Sequence, residues 1–200
     1  MKIEQAELLI LVARFLDYPD QQFFEEKLEL EKYVHSYLSF PKWAKEFIER
    51  ATPLFELQEK DLQELYVDTF DYKEKTGLYL TAQELGDSRK RGMALIQLQK
   101  LIEELGYERV DNELADYIPM LLELLAVVEE NDQVKVLKRR LAYALHRIVN
   151  HLPSDNPYHA ILETLMLHVF EAPKFEEIKQ LEHAWEEADL DPLPYPMLYQ

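Results

Sequence analysis

Residues 59–71 read EKDLQELYVDTFD, and the spacing of their apolar side chains decides the expected fold. Leu62, Leu65, Tyr66 and Phe70 fall on one face of a helix with about 3.6 residues per turn. The chain then continues as YKEKTGLYLT at 72–81, which interrupts the helical pattern and returns with further apolar side chains. We therefore expect a helix that breaks at 72–77, and we expect the break to have a structural role in the fold.

Helical spacing recurs along the rest of the chain and predicts an all-α fold. The sequence has only 4 glycines, and no alternating run of β-branched residues indicates a strand. We expect a single-domain bundle of about eight to nine helices over 1–188 and an extended, proline-rich arm over 189–200. Pro53 should end or kink the third helix. Besides 59–71, the predicted helices cover 3–17, 20–38, a segment from Pro41, 88–105, 113–130, 133–151, 157–171 and 174–188.

The charge of the chain constrains its partners. Lys and Arg number 22 against 39 Asp and Glu, which gives a formal net charge of −17. Such a charge repels nucleic acids and anionic lipid surfaces, and it favours a basic protein or peptide. Acidity that serves only solubility remains an alternative. The apolar run LLILVA at 8–13 is too short to span a membrane and lacks the basic flank of a signal peptide, so we expect a cytoplasmic protein without stable membrane insertion.

The sequence gives no positive support for catalysis, a metal or a cofactor. It has no cysteine, so disulfides, thiolate metal sites and cysteine nucleophiles are excluded. None of the 6 histidines has a glutamate three residues before it, and the HExxH motif and the glycine-rich phosphate loops are missing. We expect a protein that is not an enzyme. A small helical metal-dependent hydrolase remains an alternative.

The segment GDSRKRG at 86–92 has an unusual arrangement of charge at a predicted helix start. Asp87 or Ser88 should cap the helix, which places Arg89, Lys90 and Arg91 in its first turn. Cations there oppose the helix dipole by about 0.3–1 kcal/mol each, so a partner acid or local carboxylates should meet them. Gly106 should end this helix, and Gly92 within it suggests the close approach of another backbone.

The segment ELADYIPMLLELLA at 113–126 contains a proline inside a helical pattern. A helix that begins near 116–118 would place Pro119 in its first turn and would make Asp116 a cap or first-turn acid. The apolar stripe expected in the core is Leu114, Ile118, Leu121, Leu122 and Leu125.

YVDTFD at 66–71, GLYL at 77–80, GDSRKRG and ELADYIPMLLELLA, in this order and spacing, resemble the NarJ family. These are assembly chaperones of respiratory nitrate reductase within the TorD-like group. The resemblance implies a TorD/NarJ-like helical domain, monomeric or homodimeric, that binds the N-terminal segment of the catalytic subunit. It implies that this subunit is held in the cytoplasm while molybdenum cofactor and iron-sulfur clusters are inserted, before it docks on the membrane. The chain departs from the group's pattern at Ala115, often proline, and at Tyr117, often histidine.

The bound segment in such a family is short, basic and amphipathic, and is expected to lie as a helix in a groove. On this basis we expect an apolar lining of Tyr66, Phe70, Tyr79, Tyr117 and Leu122. We expect Asp71, Asp116 and Glu123 to meet the cations of the segment. Arg89 should tie two helices together, with Asp71 as a possible partner. Two alternatives remain open: the aromatic residues lie in the core, or the protein is a general adaptor for basic helices.

Overall fold

The computed structural model describes residues 3–26, 42–108, 113–174 and 176, and within them the predicted all-α fold is confirmed. Parts of the helices predicted over 20–38 and 174–188, and the arm predicted over 189–200, lie outside the described residues. A π-helical turn, Val67–Asp71, continues α4, and a 3₁₀ turn, Glu74–Thr76, follows it. The helices are α1 (Ile3–Leu16), α2 (21–26), α3 (Lys42–Glu56), α4 (Glu59–Tyr66), α5 (Leu80–Leu85), α6 (Lys90–Glu104), α7 (Ile118–Val127), α8 (Asp132–His151) and α9 (Pro157–His168).

The core joins the first helix to the second half of the chain. Helix α1 packs along α7 and also contacts α9, while α3 packs on α9 and α8 contacts α5, α7 and α9. The apolar faces of these helices form one buried cluster, in which Leu9 of α1 and Leu121 of α7 have no exposed surface. Each such side chain stabilises the fold by about 1.5–3 kcal/mol relative to an exposed one. The pairing of α1 with α7 is what places the candidate site described below.

Several helix ends follow the local sequence. Asn131 and Asn156 accept hydrogen bonds from the backbone amides of Val134 and Tyr158, and so cap α8 and α9. Gly106 has a φ of 84° after α6, with its amide bonded to Glu103 at 2.9 Å and the next amide bonded to Ile102 at 3.1 Å. This pair of bonds is the Schellman arrangement, which satisfies carbonyls at the helix end. The predicted terminator at Gly106 is confirmed.

Other predictions of helix ends and packing are wrong. Of the two effects predicted for Pro53, an end or a kink of the third helix, the end is wrong, because the helix continues to Glu56 and buries Leu54, and this packing offsets the loss of one backbone donor. Helix α6 begins at Lys90, later than predicted, and Arg89 occupies the cap position without a side-chain bond. Gly92 has nothing within 4 Å of an added Cβ, so no backbone approaches it.

The position at which α7 begins explains why the helix tolerates Pro119 and why Leu114 lies outside the core. The helix begins at Ile118, so Pro119 lies in the first turn, where its missing amide costs no helical hydrogen bond. Leu114 lies before the helix and is 44% exposed, whereas the other four members of the predicted stripe are buried. The prediction for Leu114 is wrong because the helical periodicity starts four residues later in the chain.

The predicted break at 72–77 is confirmed, and its role is to bring the GLYL segment against the start of α7. The Thr76 hydroxyl donates to the Thr69 carbonyl, and the Gln83 side chain donates to the Gly77 carbonyl at 2.9 Å. The segment then pairs with α7 through an isolated antiparallel bridge between Tyr79 and Tyr117. Leu78 and Leu80 are buried on either side of this bridge, so Tyr79 is fixed by backbone pairing at the start of α5 and is not carried by a loop.

Candidate functional site

A surface groove of about 380 Å³ lies where the end of α1, the end of α6 and one face of α7 meet. Its four carboxylates are Asp17, Glu108, Glu113 and Glu123, and two tyrosines, Tyr107 and Tyr117, also line it. Its apolar lining consists of Ala13, Ile102, Pro119, Met120, Leu124 and Val127.

The faces of α7 separate the groove from the core. Leu121, Leu122 and Leu125 point into the buried cluster. Met120, Leu124 and Val127 repeat at intervals of four and three residues on the neighbouring face, and they line the groove. Leu124 is 7% exposed and belongs to both the groove lining and the buried cluster. One helix therefore supplies both a core surface and an apolar wall for a ligand.

The ends of α1 and α6 supply acids to the rim. Asp17 follows the last residue of α1, four positions after the buried Ala13, and both line the groove. The turn at Gly106 ends α6 and places Tyr107 and Glu108 on the opposite side. No lysine or arginine occurs among the described residues that line this groove. The groove is thus suited to a ligand with apolar and cationic groups.

Two tyrosines hold two of these carboxylates. The Tyr117 hydroxyl donates to Asp17 Oδ1 at 2.9 Å, and the Tyr79 hydroxyl donates to Glu113 Oε2 at 3.4 Å. The two rings lie 5.6 Å apart with a tilt of 43°. Burial raises the pKa of the Tyr117 hydroxyl, and the neighbouring Tyr66 and Asp17 raise it further. Tyr117 therefore stays protonated at neutral pH and acts as a donor to the carboxylate.

Comparison with known proteins identifies the family. The family model described as "Nitrate reductase delta subunit" matches residues 39–153, which is more than half of the chain. The chain belongs to the nitrate reductase delta subunit family. The resemblance to the NarJ family drawn from the four motifs is thereby confirmed, and all four motifs fall inside the matched range.

Curated relatives agree with the family assignment. The nitrate reductase molybdenum cofactor assembly chaperone NarJ of Escherichia coli (strain K12) is 29% identical over 163 residues, which cover 80% of this chain and 67% of the relative. A protein of Bacillus subtilis (strain 168), named as a probable chaperone of the same kind, is 32% identical over 105 residues, or 52% of this chain and 57% of the relative. The α6 and α7 sides of the groove lie within the range matched by the delta subunit family, whereas Ala13 and Asp17 precede it.

Of the predicted site residues, Tyr117 and Glu123 line the groove and Tyr79 lies beside it. Asp71 is exposed at the end of the π-helical turn and does not line the groove. Partial burial raises the pKa of the Asp71 carboxyl; burial also raises the pKa of the Tyr66 and Tyr79 hydroxyls, and the charge of Asp71 adds a smaller increase. Asp71 is therefore near the tyrosines but outside the groove lining.

Tyr66, Phe70 and Leu122 do not line an open groove, and the prediction is wrong for these three. Their exposed fractions are 4%, 3% and 0%. The Phe70 ring packs at 5.1 Å from Tyr66 and at 4.8 Å from Tyr158, so an aromatic stripe at helical spacing forms part of the core. Only the Tyr66 hydroxyl comes near the site, at 3.3 Å from the Tyr117 hydroxyl.

Asp116 cannot meet a ligand, because its exposed fraction is 0%. Its carboxylate accepts hydrogen bonds from the Thr81 hydroxyl and, at 3.2 Å, from the Thr81 amide in the first turn of α5. The Arg91 guanidinium lies 3.7 Å from the same oxygen. Both interpretations of Asp116 drawn from the sequence, as a ligand contact and as a cap of α7, are wrong because it stabilises the start of α5.

Arg91, and not Arg89, ties the helices together. Arg91 lies on the inner face of α6, where it donates to the Thr81 hydroxyl at 3.2 Å and lies 5.9 Å from the centre of the Tyr79 ring. Arg89 is exposed at the cap position of α6. The prediction for Arg89 is wrong because positions 89 and 91 differ by about 200° around the helix axis, and it is Arg91 that faces Thr81 and Asp116.

The sequence did not reveal that Asp17, Glu108 and Glu113 belong to the groove. Asp17 is 100 residues from Tyr117 in sequence, so only the packing of α1 on α7 brings the two together. The local signals for Asp17 were its position at a helix end and the proline that follows at Pro19.

The described residues show two further features that concern function. They contain no group of three or more His, Asp or Glu side chains placed to hold a metal ion. None of their helices has the length and apolarity needed to cross a membrane.

Proposed function

We propose that this protein is a system-specific chaperone that binds the N-terminal, leader-like segment of the nitrate reductase catalytic subunit. It holds this subunit in the cytoplasm while molybdenum cofactor and iron-sulfur clusters are inserted, and before the subunit docks on the membrane. It carries out no catalysis itself. The names of its relatives, which are molybdenum cofactor assembly chaperones of nitrate reductase, support this proposal.

The observation that carries the proposal is the composition of the groove. An amphipathic helix needs an apolar wall for its apolar face, and a basic one also needs acids at the edges of that wall. The groove offers Met120, Leu124 and Val127 as such a wall and four carboxylates around it. These charges also attract a basic segment from a distance, since the protein as a whole carries a net charge of −17.

The length of the groove suits a short helical segment. Helix α7 has 10 residues, so its groove face extends for about 15 Å at about 1.5 Å per residue. A bound helix of similar length would place about three apolar side chains along this face, at positions i, i+3 or i+4, and i+7. This matches the repeat of Met120, Leu124 and Val127 on the protein side.

Tyr79, Tyr117 and Glu123 remain proposed contacts, and Asp17, Glu108 and Glu113 join them. Tyr79 and Tyr117 present ring surface beside the groove, and their hydroxyls hold Glu113 and Asp17. Asp71 does not line the groove, so its proposed role is to attract the cations of the segment at longer range through its charge.

A binding experiment tests the proposal. The protein is titrated with a synthetic peptide of the first ~15–20 residues of the catalytic subunit, and affinity is measured by calorimetry. We expect saturable 1:1 binding that weakens at high salt. A scrambled peptide of the same composition keeps the charge but loses the apolar stripe, and it should bind at least about tenfold more weakly.

Equal affinity for the native and scrambled peptides would leave only non-specific attraction between charges, and would refute binding in the groove. Absence of binding to the native peptide would refute the proposed function. A general adaptor for basic helices would bind unrelated amphipathic basic peptides as tightly as the native one. One such unrelated peptide is therefore titrated as a further control. Co-purification with the catalytic subunit from cells tests the same distinction with full-length partners.

A further inference from the structure

We infer that Asp17 is the residue of the groove that selects a cationic side chain of the bound segment, and that Tyr117 is the positioning residue that orients it. The inference rests on the proposed function, because it names the feature of the segment that the groove recognises. It concerns a carboxylate that none of the four motifs contains.

Asp17 stands at the boundary between the apolar wall and solvent. Its amide donates to the Ala13 carbonyl at 3.0 Å, which continues the last turn of α1 and places its side chain beside the groove. That side chain is 50% exposed. A charge pair formed in such a place is screened less than one in open water, because one side of the pair is bounded by protein.

One oxygen of Asp17 is already held by the protein. Oδ1 accepts the Tyr117 hydroxyl at 2.9 Å and the Tyr18 amide at 3.0 Å. Oδ2 lies 3.8 Å from the Arg14 guanidinium, but Arg14 is closer to Glu26, at 3.1 Å, and to Asp20, at 3.3 Å. Arg14 therefore serves mainly to hold α2 against α1. A carboxylate oxygen has two lone pairs, so Oδ2 keeps the capacity to accept a donor from a ligand.

Tyr117 fixes the orientation of this carboxylate before a ligand arrives. Its hydroxyl donates to a charged acceptor, which gives a stronger bond than a neutral one. Behind it, the buried Tyr66 hydroxyl lies at 3.3 Å and donates to the Leu16 carbonyl at 3.1 Å. Each phenol has a single proton, which Tyr117 gives to Asp17 and Tyr66 gives to Leu16, so the two hydroxyls are neighbours and the Tyr117 bond alone orients the carboxylate. A prepositioned acceptor loses less conformational entropy on binding than a mobile one.

The other acids of the groove are glutamates, which have one more rotatable bond than aspartate, so fixing them on a ligand costs more side-chain entropy. Glu113 also accepts a tyrosine hydroxyl, but its bond from Tyr79 is longer, at 3.4 Å, than the 2.9 Å bond from Tyr117 to Asp17. We therefore assign the strongest discrimination between cationic and neutral side chains to Asp17, and a general attraction of positive charge to the three glutamates.

The assignment gives the bound segment a polarity. Asp17 contacts Tyr117 at the start of α7, whereas Leu124 and Val127 lie about two and three turns further along it. The critical cation of the segment should therefore lie at the Tyr117 end of the groove, and its apolar side chains should follow toward Val127.

A double-mutant cycle between protein and peptide tests the inference. Asp17→Asn keeps the shape of the side chain and an oxygen that can accept from Tyr117, but it removes the charge. It should weaken binding of the N-terminal peptide of the catalytic subunit about tenfold. Asp155→Asn removes the same charge at an exposed position that does not line the groove, and it should leave the affinity within about twofold.

The peptide side of the cycle replaces each lysine or arginine with glutamine, one at a time. With the wild-type protein, one of these replacements should weaken binding about tenfold, and with Asp17→Asn the same replacement should have almost no further effect. Replacement of the other cations should have similar effects in both proteins.

Tyr117→Phe provides a second variant that keeps the ring and the charge of Asp17. It should weaken binding of the native peptide about threefold and should leave binding of the peptide that lacks the critical cation unchanged. A merely structural role of Tyr117 would weaken both peptides equally. Circular dichroism of each variant verifies that it is folded.

The outcomes separate this inference from the proposed function. If the native peptide fails to bind the wild-type protein, the proposed function fails. If the native peptide binds but every cation replacement has the same effect in wild type and in Asp17→Asn, the role of Asp17 is refuted and the proposed function stands. If Tyr117→Phe weakens both peptides equally, the positioning role of Tyr117 is refuted.

Discussion

Two aspartates meet the Tyr79–Tyr117 bridge from opposite sides, and they differ in what surrounds them. Asp116 is fully buried, and Thr81 and Arg91 contact its carboxylate. Asp17 is half-exposed and lines the groove, and among the described residues its Oδ2 forms an ion pair with Arg14, at 3.8 Å. The first aspartate fixes the position of the bridge, while the second is available to a ligand.

This difference arises from a single step along the backbone. Asp116 lies in the turn that the Tyr117 amide closes on the Leu114 carbonyl, whereas Tyr117 is extended and pairs with Tyr79. The carboxylate enters the bundle, and the phenol reaches the groove and Asp17. A carboxylate in a family motif can therefore stabilise the fold, while the proposed ligand contact, Asp17, lies at the end of a helix that is distant in sequence.

The largest expected effect is the loss of stability when the buried aspartate, Asp116, is replaced. Asp116→Ala leaves the Thr81 amide and hydroxyl without their acceptor and removes the buried partner of Arg91, so it should lower the free energy of unfolding by about 3 kcal/mol. Urea denaturation measures this value. Asp17→Asn is the matched control and should change it by less than about 1 kcal/mol. Similar losses of stability in the two variants would contradict the assignment of a structural role to Asp116 and not to Asp17.

The two arginines at the start of α6, Arg89 and Arg91, should also differ in how much they contribute to stability. Arg91→Ala removes a hydrogen bond to Thr81, an ion pair with Asp116 and a contact with the Tyr79 ring, so it should lower stability by about 1–2 kcal/mol. Arg89→Ala should change stability by less than about 0.5 kcal/mol, because its side chain is exposed. Equal losses, measured by thermal or urea unfolding, would contradict the assignment of Arg91 as the tie.

On the groove side, removal of a rim charge should affect binding and leave stability unchanged. Glu123→Gln should weaken affinity for the N-terminal peptide by about two- to fivefold, because exposed ion pairs contribute about 0.2–1 kcal/mol. Glu49→Gln removes an exposed charge on α3 that does not line the groove and serves as the control. Calorimetry at two salt concentrations measures both, and the difference between the variants should shrink at high salt. A persistent difference at high salt would argue against a simple charge contact.

The smallest expected effect concerns Asp71, whose pKa is raised from 3.8 by partial burial. The folded protein then holds the proton more tightly than the unfolded chain, so this group destabilises the fold once pH exceeds 3.8 and does so fully above its raised folded pKa. Asp71→Asn should therefore stabilise the protein slightly at pH 7, by less than about 0.5 kcal/mol, and this gain should vanish as pH falls below about 4. Urea unfolding at several pH values measures the gain. A variant that is less stable than wild type at pH 7 would contradict the claim that ionised Asp71 destabilises the fold.

Much of the fold could be predicted from the sequence because it depends on local patterns. The apolar spacing in α1, α4 and α8, the asparagine caps of α8 and α9 and the terminator at Gly106 are all local, and each is found in the structure. The errors arose where tertiary packing overrode local preference. Pro53 remains inside a helix where Ala51 and Leu54 are buried, and Arg89 is exposed because the packing of α6 turns the face that carries Arg91 toward Thr81.

The site was harder to predict, because it combines residues that are far apart in sequence. Tyr117 and Glu123 lie in a motif and line the groove, whereas Asp17 depends on a contact between segments 100 residues apart. Tyr66 and Phe70 illustrate the opposite error. Their helical spacing was correctly recognised, but spacing alone does not distinguish an apolar face that packs in the core from one that is open to a ligand.

The central claim is that a basic amphipathic segment binds in the groove between the ends of α1 and α6 and the outer face of α7. A titration of isotope-labelled protein with the N-terminal peptide of the catalytic subunit, followed by NMR, tests it most directly. We expect the largest changes in the resonances of Asp17, Tyr117, Met120, Leu124 and Val127, and little change at Asp155 or Glu49 on other surfaces. Saturable binding that left the groove resonances unchanged and shifted those of another face would contradict the claim.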